Sequence, residues 1–124
     1  MSSHKEYSNI ELSTEVLTAT PHKQVELLLD KCLQHIHTAK RYISEKQMTQ
    51  KHEAISKALD ILTYLRSILN FKDKEATELS NTLSVIYASS EKNLAMANLK
   101  NDASFLDHVI TVLTEIKTGW DGIR

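Results

Sequence analysis

Four stretches of this chain place an apolar residue at alternating steps of three and four. Val25, Leu28, Cys32, Ile36, Ala39 and Ile43 form the first, and Ile55, Ala58, Leu62, Leu65 and Leu69 the second. Ala76, Leu79, Leu83, Ile86, Ser90, Leu94 and Ala97 follow, with Ser90 a polar break, and Leu106, Val109, Leu113, Ile116 and Trp120 close the series. Such steps align side chains on one face of a helix with 3.6 residues per turn. No stretch alternates apolar and polar residues over the length of a strand. With 2 glycines and 1 proline in 124 residues, the chain also lacks the turn residues that a β-sandwich or barrel consumes.

Punctuation agrees with the periodicity. Thr20 precedes Pro21, an N-cap hydroxyl followed by a proline at the first helical position, where its missing N–H leaves nothing unsatisfied. Thr49, Asp73 and either Asn101 or Asp102 are the expected caps of the next three helices. The connections then fall near 46–49, 71–74 and 99–102, and connections so short make neighbouring helices antiparallel. The expected fold is all-α: an antiparallel up-down four-helix bundle over 21–124, with residues 1–20 as an N-terminal arm or short helix packed over it. That N-terminal segment is polar, with Tyr7, Ile10, Leu12, Val16 and Leu17 scattered through it.

Charge and composition exclude several functions. Fifteen basic and 16 acidic residues give a net charge of -1, and no block is basic enough for a nucleic-acid footprint. No run approaches the ~18 apolar residues of a membrane span, and the N-terminus lacks the apolar core of a signal peptide. A cytoplasmic, soluble protein is expected. Gly119 and Gly122 cannot supply a phosphate-binding loop. One cysteine, Cys32, permits neither an internal disulfide nor a cysteine-cluster zinc site.

The candidates for chemistry fail on spacing. His35 and His37 point to different sides of a helix. His52-Glu53-Ala54-Ile55-Ser56 starts like a zinc motif but puts serine where the second ligand belongs. The histidines are therefore expected at the solvated surface or at helix ends, with no metal and no cofactor. Cys32 falls on an apolar stripe, where a thiol behaves as a small hydrophobe. No set of residues offers a reaction, and the expectation is a protein that is not an enzyme.

Surplus hydrophobicity is the more informative feature. Ala54, Ile55, Ala58, Leu59, Ile61, Leu62, Tyr64, Leu65, Ile68 and Leu69 spread over more than one face of the second long helix. The third carries small residues, Ala88, Ser89, Ser90, Ala95 and Ala97, around Tyr87 and Leu94. Small residues between large ones allow either closer packing within the bundle or a groove that accepts a partner helix.

Several short motifs, in this order, resemble the flagellin-specific export chaperones of the bacterial flagellar type III secretion system, the FliS family. They are Tyr7 ahead of Ala19-Thr20-Pro21-His22, then Leu27-Leu28-Leu29-Asp30, Lys57-Ala58-Leu59-Asp60-Ile61-Leu62, and Leu83 to Tyr87. Ala97-Asn98-Leu99-Lys100-Asn101-Asp102 is the most specific, and a helix ending at Trp120 completes the set. Ser89, Ser90, Glu91 and Lys92 depart from the family's basic pair after the Leu-Tyr element, and Lys31 stands where the family often has glycine. The resemblance implies a chaperone that binds the disordered C-terminal segment of flagellin in an apolar groove and prevents premature polymerisation. On that reading Leu62, Leu83, Tyr87, Leu94 and Asn98 are the groove residues, and Tyr7 and Ile10 belong to a displaceable cap. The same resemblance admits a regulatory adaptor that binds an anti-sigma factor or a small co-chaperone through that groove.

Overall fold

The computed structural model describes residues 13–69 and 74–122. Every regular element there is helical: α1 Thr14–Thr18, α2 Pro21–Ser44, α3 Met48–Ser67, α4 Lys74–Lys100 and α5 Ser104–Asp121. The four long helices form a helical bundle in which α2 and α4 each pack on both α3 and α5. The short α1 lies on α2 and buries Val16, while Leu17 beside it stays 62% exposed. Tyr7 and Ile10 lie outside the described residues. Among the described residues no helix is long and apolar enough to cross a membrane.

The stripes become the core, with one shift of register. Leu28, Cys32, Ile36 and Ala39 of α2 are buried, as are Ile55, Ala58, Leu62 and Leu65 of α3, and Leu106, Val109 and Leu113 of α5. In α4 the buried row is Ser80, Leu83, Tyr87, Ser90, Leu94 and Ala97. The expected row ran through Leu79 and Ile86 instead. Both rows have helical spacing, and the packing that seats the Tyr87 ring selects the second. Leu79 is thereby left 47% exposed. The surplus apolar residues of α3 are largely absorbed by the core, because this helix faces both α2 and α4: Ile61 is buried and Leu59 and Tyr64 pack against the cluster.

The helix ends follow from local chemistry. The Thr20 hydroxyl accepts the Lys23 N–H at 3.2 Å, and Pro21 opens α2 as expected. At the other end Lys46 takes a left-handed φ of 56°. Its N–H reaches the Ile43 carbonyl and the next N–H, of Gln47, reaches that of Tyr42. This double closure is the Schellman arrangement, which usually recruits glycine. The expected cap Thr49 instead falls inside α3, which starts at Met48 without any side-chain cap bond. Asp73 lies outside the described residues. The N-cap of α5 is Ala103, with no side-chain cap bond, rather than Asn101 or Asp102. Just ahead of it Asp102 accepts hydrogen bonds from both the N–H and hydroxyl of Ser104, and these hold its carboxyl below the usual range.

The α4 terminus is tied to α3. The buried ammonium of Lys51 donates to the Asn98 carbonyl at 2.8 Å and to the Asn101 side-chain oxygen. Asn101 itself has a left-handed φ of 53°. One lysine thus satisfies an end carbonyl of α4 that has no partner within the helix, and brings its charge to the negative end of the helix dipole. Farther along, Glu91 accepts from Thr63 at 2.9 Å and pairs with Arg66 at 3.1 Å.

Two left-handed positions with different partners predict opposite outcomes. A non-glycine residue pays about 1–2 kcal/mol in this conformation, against the ~0.5–1 kcal/mol of extra entropy that glycine loses on folding. Lys46→Gly should raise the unfolding free energy by up to about 1 kcal/mol, whereas Asn101→Gly should lower it, because the Lys51 contact is lost. Urea denaturation of the two variants measures both. In the same assay Leu62→Ala should cost about 2–5 kcal/mol, while Leu99→Ala, 77% exposed, should change stability by no more than about 0.5 kcal/mol.

Candidate functional site

One end of the bundle does not close completely. A cleft of about 370 Å³ opens between the start of α2, the end of α3, the first half of α4 and the end of α5. Pro21, His22, Gln24 and Val25 supply one wall and Leu65, Ile68 and Leu69 another. Ala76, Leu79, Ser80, Leu83 and Tyr87 line it from α4, and Trp120 from α5. Leu79 and Ile68 stand at its rim, 47% and 45% exposed, while Leu65 and Tyr87 are buried beneath. A concave, mainly apolar surface with a few polar groups is the usual form of a binding site.

His22 and Trp120 join α2 to α5 at the cleft. Their rings stack with centroids 4.8 Å apart and planes inclined by 10°. The indole Nε1–H donates to the His22 carbonyl at 2.9 Å. That carbonyl lies in the first turn of α2, so the bond locks the helix start rather than its end. The imidazole Nε2 is buried and has no hydrogen-bond partner among the described residues. His22 sits at a helix end, as expected of the histidines, but its ring is packed against Trp120 rather than solvated. The signal was available: the α2 stripe, extended three residues back from Val25, lands on His22.

The five expected groove residues separate. Leu83 and Tyr87 line the cleft. Leu62 and Leu94 are fully buried in the core. Asn98 lies farther along α4, with its side-chain amide 3.0 Å from His52 Nδ1 and its carbonyl taken by Lys51. The residues that sequence reasoning left out of the site are His22, Val25, Leu65, Ile68, Leu79 and Trp120. Several of them were legible as stripe positions. Their convergence at one end depends on how four helices meet.

The titratable groups near the core are silent. Burial pushes the Cys32 thiol far up, and its Sγ sits 3.6 Å from the Ala58 carbonyl. Tyr87 is pushed up to about 12, first by burial and second by the neighbouring Cys32. Neither ionises at neutral pH, so neither acts as a nucleophile or base there. Among the described residues no group of three or more His, Cys, Asp and Glu is placed to hold a metal ion.

Comparison with known proteins decides the family. The family model described as "Flagellar protein FliS" matches residues 3–124. The chain belongs to the FliS family. It is similar to the flagellar secretion chaperone FliSB of Pseudomonas aeruginosa, at 33% identity over 99% of this chain and 96% of the relative. The flagellar secretion chaperone FliS of Vibrio cholerae is 32% identical over 94% of this chain and 85% of its own. That of Salmonella typhimurium is 29% identical over 96% and 87%. The identification made from short motifs therefore holds over nearly the whole chain. The departure from the FliS basic pair also has a structural use here, since Glu91 is the residue that engages Thr63 and Arg66 of α3.

The raised acids set a pH dependence. Both folded values lie above the unfolded ones, so their stabilising effect is complete below the unfolded range and is lost as pH rises. The contribution of these two groups should be constant through neutrality and fall from about pH 9, the ordinary value of the Cys32 thiol, onward through the range of Tyr87. Cys32→Ala should remove the earlier part of that fall in urea titrations at successive pH values. The native thiol should also resist Ellman's reagent at pH 8 and react after denaturation.

Proposed function

We propose that this protein is a cytoplasmic flagellar secretion chaperone that binds the disordered C-terminal segment of flagellin and keeps it from polymerising before export. The observation that carries this reading is the apolar cleft with Leu79 and Ile68 exposed at its rim, in a chain of the FliS family. An apolar opening of this kind is unfavourable in water unless something occupies it. Membership in a family whose relatives are named secretion chaperones points to an exported client as the occupant.

On this reading the four long helices run alternately up and down, which places the starts of α2 and α4 beside the ends of α3 and α5. Apolar client side chains enter the cleft against Leu83 and Tyr87. Leu62 and Leu94 act from below as an incompressible floor. Asn98, engaged with His52, shapes the far end of the groove. The client forms helix as it docks, so its ordering entropy subtracts from affinity. Residues 1–20 are the cap: Tyr7 and Ile10 cover apolar surface in the free protein and leave when flagellin arrives. The role is that of a binding protein, with no catalytic step.

Calorimetric titration of the full chain with the C-terminal segment of its own cell's flagellin tests the proposal. Saturable one-to-one binding with a negative heat-capacity change is expected. Leu79→Lys should leave the melting temperature within a few degrees and weaken binding by about tenfold or more, because it puts a charge at an apolar rim. Deleting residues 1–12, which spares the buried Val16, should preserve or strengthen binding without unfolding the bundle. Absence of heat at several temperatures, with folded protein, would overturn the chaperone reading.

A further inference from the structure

Within the apolar cleft one polar atom is out of balance. His22 lines the cleft, yet its Nε2 is shut off from water and unpaired among the described residues. Nothing around the ring among the described residues corrects this in the free chain. It is stacked on Trp120 at 4.8 Å, and the backbone beneath it is held by the indole hydrogen bond at 2.9 Å. The other polar side chains there differ: Ser80 is buried but already engaged, and Gln24 is partly open to water. A buried polar group without a partner is costly, and such groups in native proteins call for an explanation.

We infer that His22 is the specificity-determining polar contact of the cleft, and that its Nε2 pairs with one hydroxyl or carboxamide side chain carried on the apolar face of the bound client segment. The inference rests on the chaperone reading and names what that site selects for. A neutral imidazole presents one N–H and one lone pair. Hydroxyl and carboxamide groups both donate and accept, so either satisfies Nε2 whichever tautomer is present. A carboxylate or ammonium serves only one tautomer and must also shed its hydration among Val25, Leu65 and Leu83. Seating the client shifts the ring within its stack and gives the orphaned nitrogen a partner without displacing water from it. An amphipathic segment that is apolar throughout leaves Nε2 unpaired and binds less well. Discrimination by an otherwise unpaired buried group is stronger than discrimination by apolar fit alone.

A double-mutant cycle tests this with the full chain at neutral pH. His22→Phe keeps a ring to stack on Trp120 and removes the nitrogen, and His22→Gln restores a hydrogen-bonding group without the stack. The probe is a synthetic peptide of the flagellin C-terminal segment, with each Ser, Thr, Asn and Gln changed singly to Ala, titrated by calorimetry. His22→Phe should bind the parent peptide about tenfold more weakly. One peptide position should cost about tenfold with the native protein and nothing with His22→Phe, and His22→Gln should recover part of the loss. Emission from Trp120, the single tryptophan, together with melting curves, reports that the variants are folded. If His22→Phe does not fold, His22→Leu, which also removes the nitrogen, carries the cycle. Equal binding by the native protein and a folded variant that lacks a hydrogen-bonding group at position 22, or strictly additive cycles at every position, overturns the inference and leaves the chaperone reading standing. Failure of the native protein to bind the parent peptide overturns both.

Discussion

The bundle depends on α3 being buried along two faces at once. Ile55, Ala58, Leu62 and Leu65 are fully withdrawn from water, and so is Ile61, because α2 lies on one side and α4 on the other. Burial at this scale, ~25 cal/mol per Å² of apolar surface, is the dominant favourable term for a chain without disulfides. Small residues set how closely the helices approach: Cys32 meets the α3 backbone at Ala58, with its Sγ 3.6 Å from that carbonyl. A larger side chain at either position would push the two helices apart and disturb every contact that follows from their separation.

Polar ties then fix register where apolar contact cannot. Lys51 binds the end of α4, Glu91 gathers Thr63 and Arg66, and Trp120 holds the first turn of α2. Each tie joins two different helices, and each uses a direction-dependent bond where packing alone would tolerate a slide. Lys51 and Trp120 hold opposite ends of the bundle's seams. Between them lies the buried core, and at the Trp120 end the helices leave the cleft. The cleft is therefore the place where the packing stops short, lined by the outer members of the same stripes that make the core.

The motif Ala97-Asn98-Leu99-Lys100-Asn101-Asp102 has a structural task in the chain itself. Its order suggested a client contact at Asn98. In the structure the Asn98 carbonyl and the Asn101 side chain receive Lys51, the Asn98 amide meets His52, and Asp102 receives Ser104. The segment ends one helix, turns through a left-handed residue and starts the next. Such a demand on backbone geometry and hydrogen bonding gives Asn98, Asn101 and Asp102 a structural reason of their own.

Periodicity alone determined that this chain is helical, where its long helices lie and most of what they bury, because apolar spacing acts over a few residues. Of the expected caps only Thr20 marks a helix start among the described residues. The same local rules located Thr20–Pro21 and the core residues of α2, α3 and α5. Tertiary structure decided the rest. In α4 the rows through Leu79 and through Ser80 were equally helical, and only the space available to Tyr87 chose between them. His22 and Trp120 stand at the two ends of the chain, and no local pattern announces that their rings stack. Nor does spacing tell that Leu62 and Leu94 lie beneath the surface while Leu79 and Ile68 rim the cleft. Which apolar residue is core and which is site depends on whether a neighbouring helix covers it, and that is a property of the assembled bundle.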